Sequence, residues 1–271
     1  MFKIRFAPAI IVTFALAFVA TDSAVAGPGG GGAGDGIGIT RADGPALLNV
    51  VDPLRDGTLQ FSLFGSSAGD TLFVGDWNGD GSVSFGVARE DNGALLWILD
   101  FAGTGSLDFQ LFGSAGDIPV VGDFDPNSAG TEIGFARPNA AEGWLEWILK
   151  DNTPGEGFSR TLLGADTDIP VPGNWDGDAS NGDELGVARD DNGALLWITE
   201  GTGGVLEFNL FGAAGDAPIS GDWSGDGNSQ RGVRVAGGDG NVFILDQPSL
   251  EFIQLGAPTD KAFNPRSFGQ P

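Results

Sequence analysis

Between Ala94 and Leu99 every position of the chain is apolar. From Leu107 to Phe112 it alternates instead, with Leu107, Phe109 and Leu111 set against Asp108 and Gln110. The first pattern is that of a strand covered on both faces. The second suits a strand nearer a rim, half exposed. Neither has the three-to-four-residue spacing of an amphipathic helix, and no helix is expected in the mature protein.

Both patterns recur. The apolar run returns at Trp144 to Leu149 and Ala194 to Thr199, and more faintly at Ala46 to Val51 and Asn241 to Leu245. The alternating run returns at Leu59 to Gly65, Phe158 to Gly164, Leu206 to Gly212 and Glu251 to Gly256. Each copy ends in glycine and is followed by an acid: Asp70, Asp117, Asp168, Asp216 or Asp260. A third marker, glycine-hydrophobic-small-arginine, stands at Gly38 to Arg41, Gly86 to Arg89, Gly134 to Arg137 and Gly186 to Arg189, with a degraded copy at Gly232-Val233-Arg234. A fourth segment, Leu72 to Trp77, Ile118 to Phe124, Ile169 to Trp175 and Ala217 to Trp223, feeds an acidic, turn-rich loop.

Units of about 48 residues with four short strands each have the size and content of β-propeller blades. The expected fold is therefore all-β, a five-bladed propeller spanning 37–271 with four-stranded blades. Its frame begins at the second strand of the first blade. The missing inner strand must then come from Lys261 to Phe268, so that N- and C-terminal strands pair and close the open edge. A rival arrangement, the same units stacked as an open solenoid, needs polar capping repeats that neither end supplies.

Composition alters the reading first at the N-terminus. Lys3 and Arg5 precede an apolar run from Phe6 to Ala20 and the small residues Ala24-Val25-Ala26, the layout of a secretory signal peptide at 1–26. The run is shorter than the roughly 20 residues that span a bilayer, so no membrane insertion is expected after cleavage. Residues 27–36, with Gly29 to Gly32 in sequence, read as a flexible leader. The mature chain is expected to be secreted: extracellular, periplasmic or on the cell surface.

Charge and missing residue types narrow the chemistry. The chain has 37 acidic against 13 basic residues, a net charge of −24, which argues against nucleic acid or an anionic membrane as partner. It is also 41% hydrophobic with 20 Phe and 7 Trp, enough for a core, so the charge is read as gathered into sites and not as a mark of disorder. No cysteine is present, which removes disulfides, and no histidine, which removes Ser-His-Asp and Cys-His nucleophiles and His-ligated metals.

The loops gather oxygen-bearing side chains at alternate positions beside turning residues, a pattern that can converge hard ligands on Ca²⁺. The candidate ligands are Asp76, Asn78, Asp80 and Ser84 in the first loop and Asp123, Asp125, Asn127 and Glu132 in the second. In the third they are Asn174, Asp176, Asp178 and Glu184, and in the fourth Asp222, Ser224 and Asp226. Calcium would be structural here and stand in for the absent disulfides. The competing reading is a set of Asp/Asn/Gly turns that bind nothing.

Arg41, Arg89, Arg137 and Arg189 are expected to pair with acids such as Asp70, Asp117, Asp168 or Asp216 and so fasten blade to blade. Trp97, Trp147 and Trp197 lie within apolar strands and are assigned to the core. Trp77, Trp175 and Trp223 adjoin the loops, where interblade packing competes with a sugar-stacking role.

The loops, together with Gly-Asp-Trp at Gly75 to Trp77 and Gly221 to Trp223 and the Gly-Val-x-Arg marker, resemble the calcium loops of FG-GAP and VCBS-type repeats. Those repeats build integrin-like propellers and many secreted bacterial proteins. The resemblance implies Ca²⁺ as the bound ion and a non-enzymatic, monomeric binding or adhesion module for an extracellular protein or glycan. Departures reduce the expected number of occupied sites to two or three. Ser128 and Ala179 replace the turning glycine, the ninth acid is absent from the first and fourth loops, and the fifth unit at Asn264-Pro265-Arg266 lacks the loop. Two other functions are compatible with the fold: a multivalent lectin with a pocket in each blade, and a carbohydrate-active enzyme with axial carboxylates. The enzyme is disfavoured because the acids recur in every unit, whereas glycoside hydrolysis needs one asymmetric pair.

Overall fold

The computed structural model describes residues 34–101, 103, 105–151, 157–237 and 240–263. The expected signal segment 1–26, residues 27–33 of the expected leader and residues 264–268 of the expected closing strand lie outside them. The first sheet contains β1 (Ile37–Asp43), β2 (Ala46–Asp52) and β3 (Gln60–Ser66). The second is β4 (Thr71–Gly75), β5 (Ser84–Asp91), β6 (Ala94–Asp100) and β7 (Leu107–Ser114). The third is β8 (Ile118–Gly122), β9 (Glu132–Asn139), β10 (Trp144–Lys150) and β11 (Phe158–Leu162). The fourth is β12 (Ile169–Pro170), β13 (Gly186–Asp191), β14 (Ala194–Gly201) and β15 (Val205–Ala213), and a single 3₁₀ turn, Thr202–Gly204, joins its last two strands. The fifth is β16 (Ala217–Gly221), β17 (Gln230–Gly237), β18 (Gly240–Leu245) and β19 (Glu251–Gln254). Finally β20 (Lys261–Phe263) returns to the first sheet and lies beside β1.

Each sheet is four antiparallel strands, in chain order except that β20 flanks β1 in the first, and the five together form a five-bladed β-propeller. Asn-Gly turns sharpen two of its hairpins. Asn92 and Gly93 (φ 49° and 87°) link β5 to β6, and Asn192 and Gly193 (φ 51° and 92°) link β13 to β14. Left-handed backbone at both central positions is what a two-residue type I′ turn requires. The ring closes where Gly38 faces Phe263, Ile39 faces Ala262 and Thr40 faces Lys261. Only glycine fits at 38, because a Cβ there would lie 2.1 Å from the Phe263 ring.

Five apolar clusters hold the ring, and each is shared by two adjacent blades. Trp97 and Phe73 of the second blade pack with Ile133 and Phe135 of the third. Trp147 and Leu149 of the third meet Leu185 and Val187 of the fourth, and Trp197 of the fourth meets Val233 of the fifth. Trp223 and Phe243 of the fifth pack with Ile37 and Ile39 of the first, and Val51 and Phe263 of the first with Leu72 and Val87 of the second. The three strand tryptophans are wholly buried. Each indole Nε1 donates to a carbonyl of its own blade: Trp97 to Phe112 (2.9 Å), Trp147 to Leu163 (3.0 Å) and Trp197 to Phe211 (2.9 Å). Burying these large side chains therefore leaves no polar atom unmet.

The marker arginines pair as their spacing suggests. Arg89 reaches Asp70 (2.7 Å), Arg137 Asp117 (2.7 Å), Arg189 Asp168 (2.5 Å) and Arg41 Asp260 (2.5 Å). Asp70 lies on the crossover from β3 to β4 and also accepts the Ser66 N–H (2.7 Å), so its arginine ties that crossover to the second blade. Asp117, Asp168 and Asp260 likewise accept the main-chain N–H of Ser114, Ala165 and Ala257. Asp216 departs from the expectation. It accepts the Ala213 N–H, but Arg234 is displaced by one residue in the degraded marker and donates to Asn241 instead.

Two findings go beyond what the pattern specified. In the outermost strands it is the apolar side that faces outward: Phe61 is 65% exposed, Phe109 60%, Phe208 62% and Phe252 63%. The alternating pattern marks a strand with two unlike faces, but it does not say which face is covered. Residues 34–36, read as the end of the leader, are buried, with Asp35 only 1% exposed.

The contrast between closure and rim gives a measurable outcome. Phe263→Ala removes a buried aromatic at the ring joint and is expected to cost about 3–5 kcal/mol in urea unfolding. Phe61→Ser, on the outward face, is expected to stay within about 0.5 kcal/mol of the parent.

Candidate functional site

The four loops follow the inner strands β4, β8, β12 and β16. Each is stitched to the next blade at its first residue. The Asp76 N–H donates to Thr131 Oγ1 (3.1 Å), and the Thr131 N–H returns to the Asp76 carbonyl (2.7 Å). The Asp123 N–H donates to Asp183 Oδ2 (2.7 Å), with the Asp183 N–H to the Asp123 carbonyl (2.5 Å). The Ser229 N–H reaches the Asn174 carbonyl (2.8 Å). Asp35, from the end of the expected leader, does the same to the fourth loop: its N–H donates to the Asp222 carbonyl (2.6 Å) and its Oδ2 accepts the Asp222 N–H (2.7 Å). Thr131, Asp183, Ser229 and Asp35 all stand three residues before a marker glycine, a spacing present in the sequence. That count was the signal for Thr131, Ser229 and Asp35, which were not among the candidates; Asp183 was the alternative to Glu184 in the third loop.

Within each loop, carboxylates cap main-chain amides. Asp76 accepts the N–H groups of Asp80 (3.1 Å) and Gly81 (2.8 Å), and Asp222 those of Gly225, Asp226 and Gly227. Hydrogen bonds from the Asn78 side chain and the Ser82 amide hold the exposed Asp80 carboxyl below its ordinary value. Ser180 does the same for Asp178 through its hydroxyl and its amide.

The last residue of the loop plays a different part. Glu132 Oε2 accepts the N–H groups of Phe124 (2.8 Å) and Asp125 (3.2 Å), and Glu184 Oε2 those of Trp175 (2.9 Å) and Asp176 (3.2 Å). In the fourth loop Gln230 Oε1 accepts from Trp223 (2.6 Å) and Ser224 (3.1 Å) in the same manner. Burial pushes both glutamates up to about 7, and the neighbouring charges of Asp123 and of Asp176 add to the shift, against the pull of the amide bonds. A neutral amide in the fourth loop and two easily protonated acids in the second and third thus meet the same demand.

These facts decide how each loop suits a cation. In the first, Ser84 pairs with Gly75 across the strands and its hydroxyl donates to the Asp100 carbonyl, so it serves the blade and not the loop. In the fourth, Gln230 Nε2 donates to Ser224 Oγ (3.0 Å), Asp226 Oδ1 (3.2 Å) and the Asn228 carbonyl (2.7 Å). An amide donor there takes the oxygens a cation would need, and this loop does not fit one. In the second, Asn127 lies against Asp125 Oδ1, accepting nothing from it and donating through both its N–H and its side chain (3.0 and 3.3 Å). The third loop fits best, since Asn174 Oδ1 is buried and accepts no hydrogen bond from the described residues. Among the described residues no three acidic side chains gather closely enough to hold a metal ion.

Trp77 and Trp223 are buried, with Nε1 bonded to the carbonyls of Ser84 and Arg231, which assigns both to packing. Trp175 remains half-buried. Comparison of the chain with family models, with curated proteins and with solved structures finds no match.

The raised glutamates give a pH dependence of definite sign. A folded-state value of about 7 against 4.5 for the free side chain means the folded state keeps a proton that the unfolded chain loses. The associated stability is complete below about 4.5 and is lost as pH rises through about 7. Asp80 and Asp178, held low, lose their contribution only below about 4, outside that window. In chelator-containing buffer, the unfolding midpoint is expected to fall between pH 5 and pH 8. Glu132→Gln and Glu184→Gln, which copy Gln230, are expected to flatten that slope without lowering the midpoint at pH 8.

Proposed function

We propose that this chain is a non-enzymatic binding propeller, working outside the cell, whose outer strands engage an extracellular protein or glycan. The observation that carries this reading is the repeated apolar rim. Phe61 and Leu63, Phe109 and Leu111, and Phe208 and Leu210 stand at matching places on three blades, with Phe252 on a fourth, all exposed on a chain of net charge −24. Apolar side chains kept in register on successive edges mark an interaction surface more readily than scattered ones do. The non-enzymatic part is supported by the use of the recurring acids, which cap turns and hold arginines within the scaffold.

Calcium belongs to the proposal as a structural ion of the third loop, supported by the unmet Asn174 Oδ1, with the second loop next in order. Asn174, Asp176, Asp178 and Glu184 would supply the oxygens. A lectin is the second reading, and one feature favours it: a cavity between the fourth and fifth blades with Trp175 in its wall.

Two measurements test these statements. Fluorescently labelled mature chain is applied to cells of the source organism before and after protease or periodate treatment. Replacing Phe61, Phe109, Phe208 and Phe252 together by serine is expected to cut retention strongly at an unchanged unfolding midpoint. Retention equal to the parent would sink the rim as the binding surface. For the ion, a site at ten times its dissociation constant raises stability by about 1.4 kcal/mol. Millimolar calcium is therefore expected to raise the midpoint of the parent, and that of Asp176→Asn much less. An unmoved midpoint with no calcium in metal analysis removes the ion from the reading.

A further inference from the structure

The blades share one sequence plan, and three departures from it meet at a single place. Thr199 stands where the other apolar strands carry Val51, Leu99, Leu149 and Leu245. Arg231 stands where the residue before the marker glycine is Ile37, Phe85, Ile133 or Leu185. Gln230 stands where the second and third loops carry glutamate, capping the same amides but without their charge. All three line one cavity of about 280 Å³ between the fourth and fifth blades, and Trp175, Glu207 and Asn209 complete much of its wall. In a pseudo-symmetric ring, residues that serve the scaffold repeat, so a cluster of unrepeated ones points to a local task.

The chemistry of the wall narrows the ligand. Thr199 is shorter than the leucine it replaces, which leaves room beside the indole and brings a hydroxyl with it. Trp175 Nε1 already donates to the Val171 carbonyl (3.1 Å), so what the ring offers a ligand is carbon surface. The Arg231 guanidinium is held by Asp246 through Nε (2.9 Å) and an Nη (2.6 Å), which offsets its charge and fixes its plane. Glu207 and Asn209, two residues apart on β15, line the same cavity with a carboxylate and an amide. The volume is many times the roughly 30 Å³ of one water. An aromatic ring that shares a wall with amide, carboxylate and guanidinium groups suits a ring with one apolar face and hydroxyls at its edge.

We propose that this cavity binds one neutral sugar residue, its ring packed on Trp175 and its hydroxyls taken by Glu207, Asn209 and Arg231. The proposal rests on the second, lectin reading and not on the rim, with a single site in place of one per blade.

The mature chain is screened on a glycan array, and hits are titrated as free methyl glycosides by tryptophan fluorescence and calorimetry. One class of terminal sugar is expected to bind with one-to-one stoichiometry. Thr199→Leu, which restores the residue of the other blades, is expected to weaken binding by about tenfold or more while keeping the unfolding midpoint. Glu207→Ala, on the surface, is expected to weaken it as well. No signal from any glycan overturns the proposal. Binding that survives both substitutions, or a stoichiometry of several sugars per chain, also overturns it, but leaves the binding-module reading standing.

Discussion

No blade of this protein can bury its own faces. Every apolar cluster is built from two neighbouring sheets, so the stability of each blade depends on the next one being in place, and on the first being next to the fifth. That dependence makes ring closure the governing constraint. It explains why the chain places its shortest inner residue, Gly38, against the bulky Phe263, and why the first sheet is completed from the far end of the sequence. A linear stack would leave Ile37 and Ile39 facing water at one end and Trp223 and Phe243 at the other.

The acidic composition becomes intelligible once the ring is in view. With no disulfides, each unit is fastened by charged and polar bonds around its apolar seam. Aspartates hold arginines at the crossovers, loop carboxylates cap amides, and the first residue of each loop is stitched to the blade that follows. Buried carboxylates of this kind are costly unless they are paired, and nearly all of the recurring ones are. Glu132 and Glu184 differ in kind: each accepts loop N–H groups, Glu132 buried and Glu184 half-buried, and desolvation raises both carboxyls toward holding a proton.

Much of this was legible in the sequence for a physical reason. Repeats report on contacts that must be made five times over, so the unbroken apolar run around Trp97 and the marker arginines declared their partners by spacing alone. Closure was legible because a frame that starts one strand late has to end one strand early. What was not legible depended on choosing between equivalent options. The alternation in Phe109 and Leu111 does not say which face meets solvent. Ser84 has the right place in the loop, but its short hydroxyl finds the Asp100 carbonyl first. Asp35 was hidden by the glycines around it, although it keeps the same distance from Gly38 that Thr131 keeps from Gly134. The cavity beside Thr199 was invisible because a single Leu-to-Thr difference reads as ordinary drift until its neighbours in space are known.

The joint between β20 and β1 has a mechanical meaning as well. The two strands run antiparallel, and Phe263 lies opposite Gly38, so the end of one is next to the start of the other. Tension between the two ends would load these pairs one at a time, as in a zip fastener, and not together in shear. The joint that closes the ring is therefore peeled, not sheared, by such a pull.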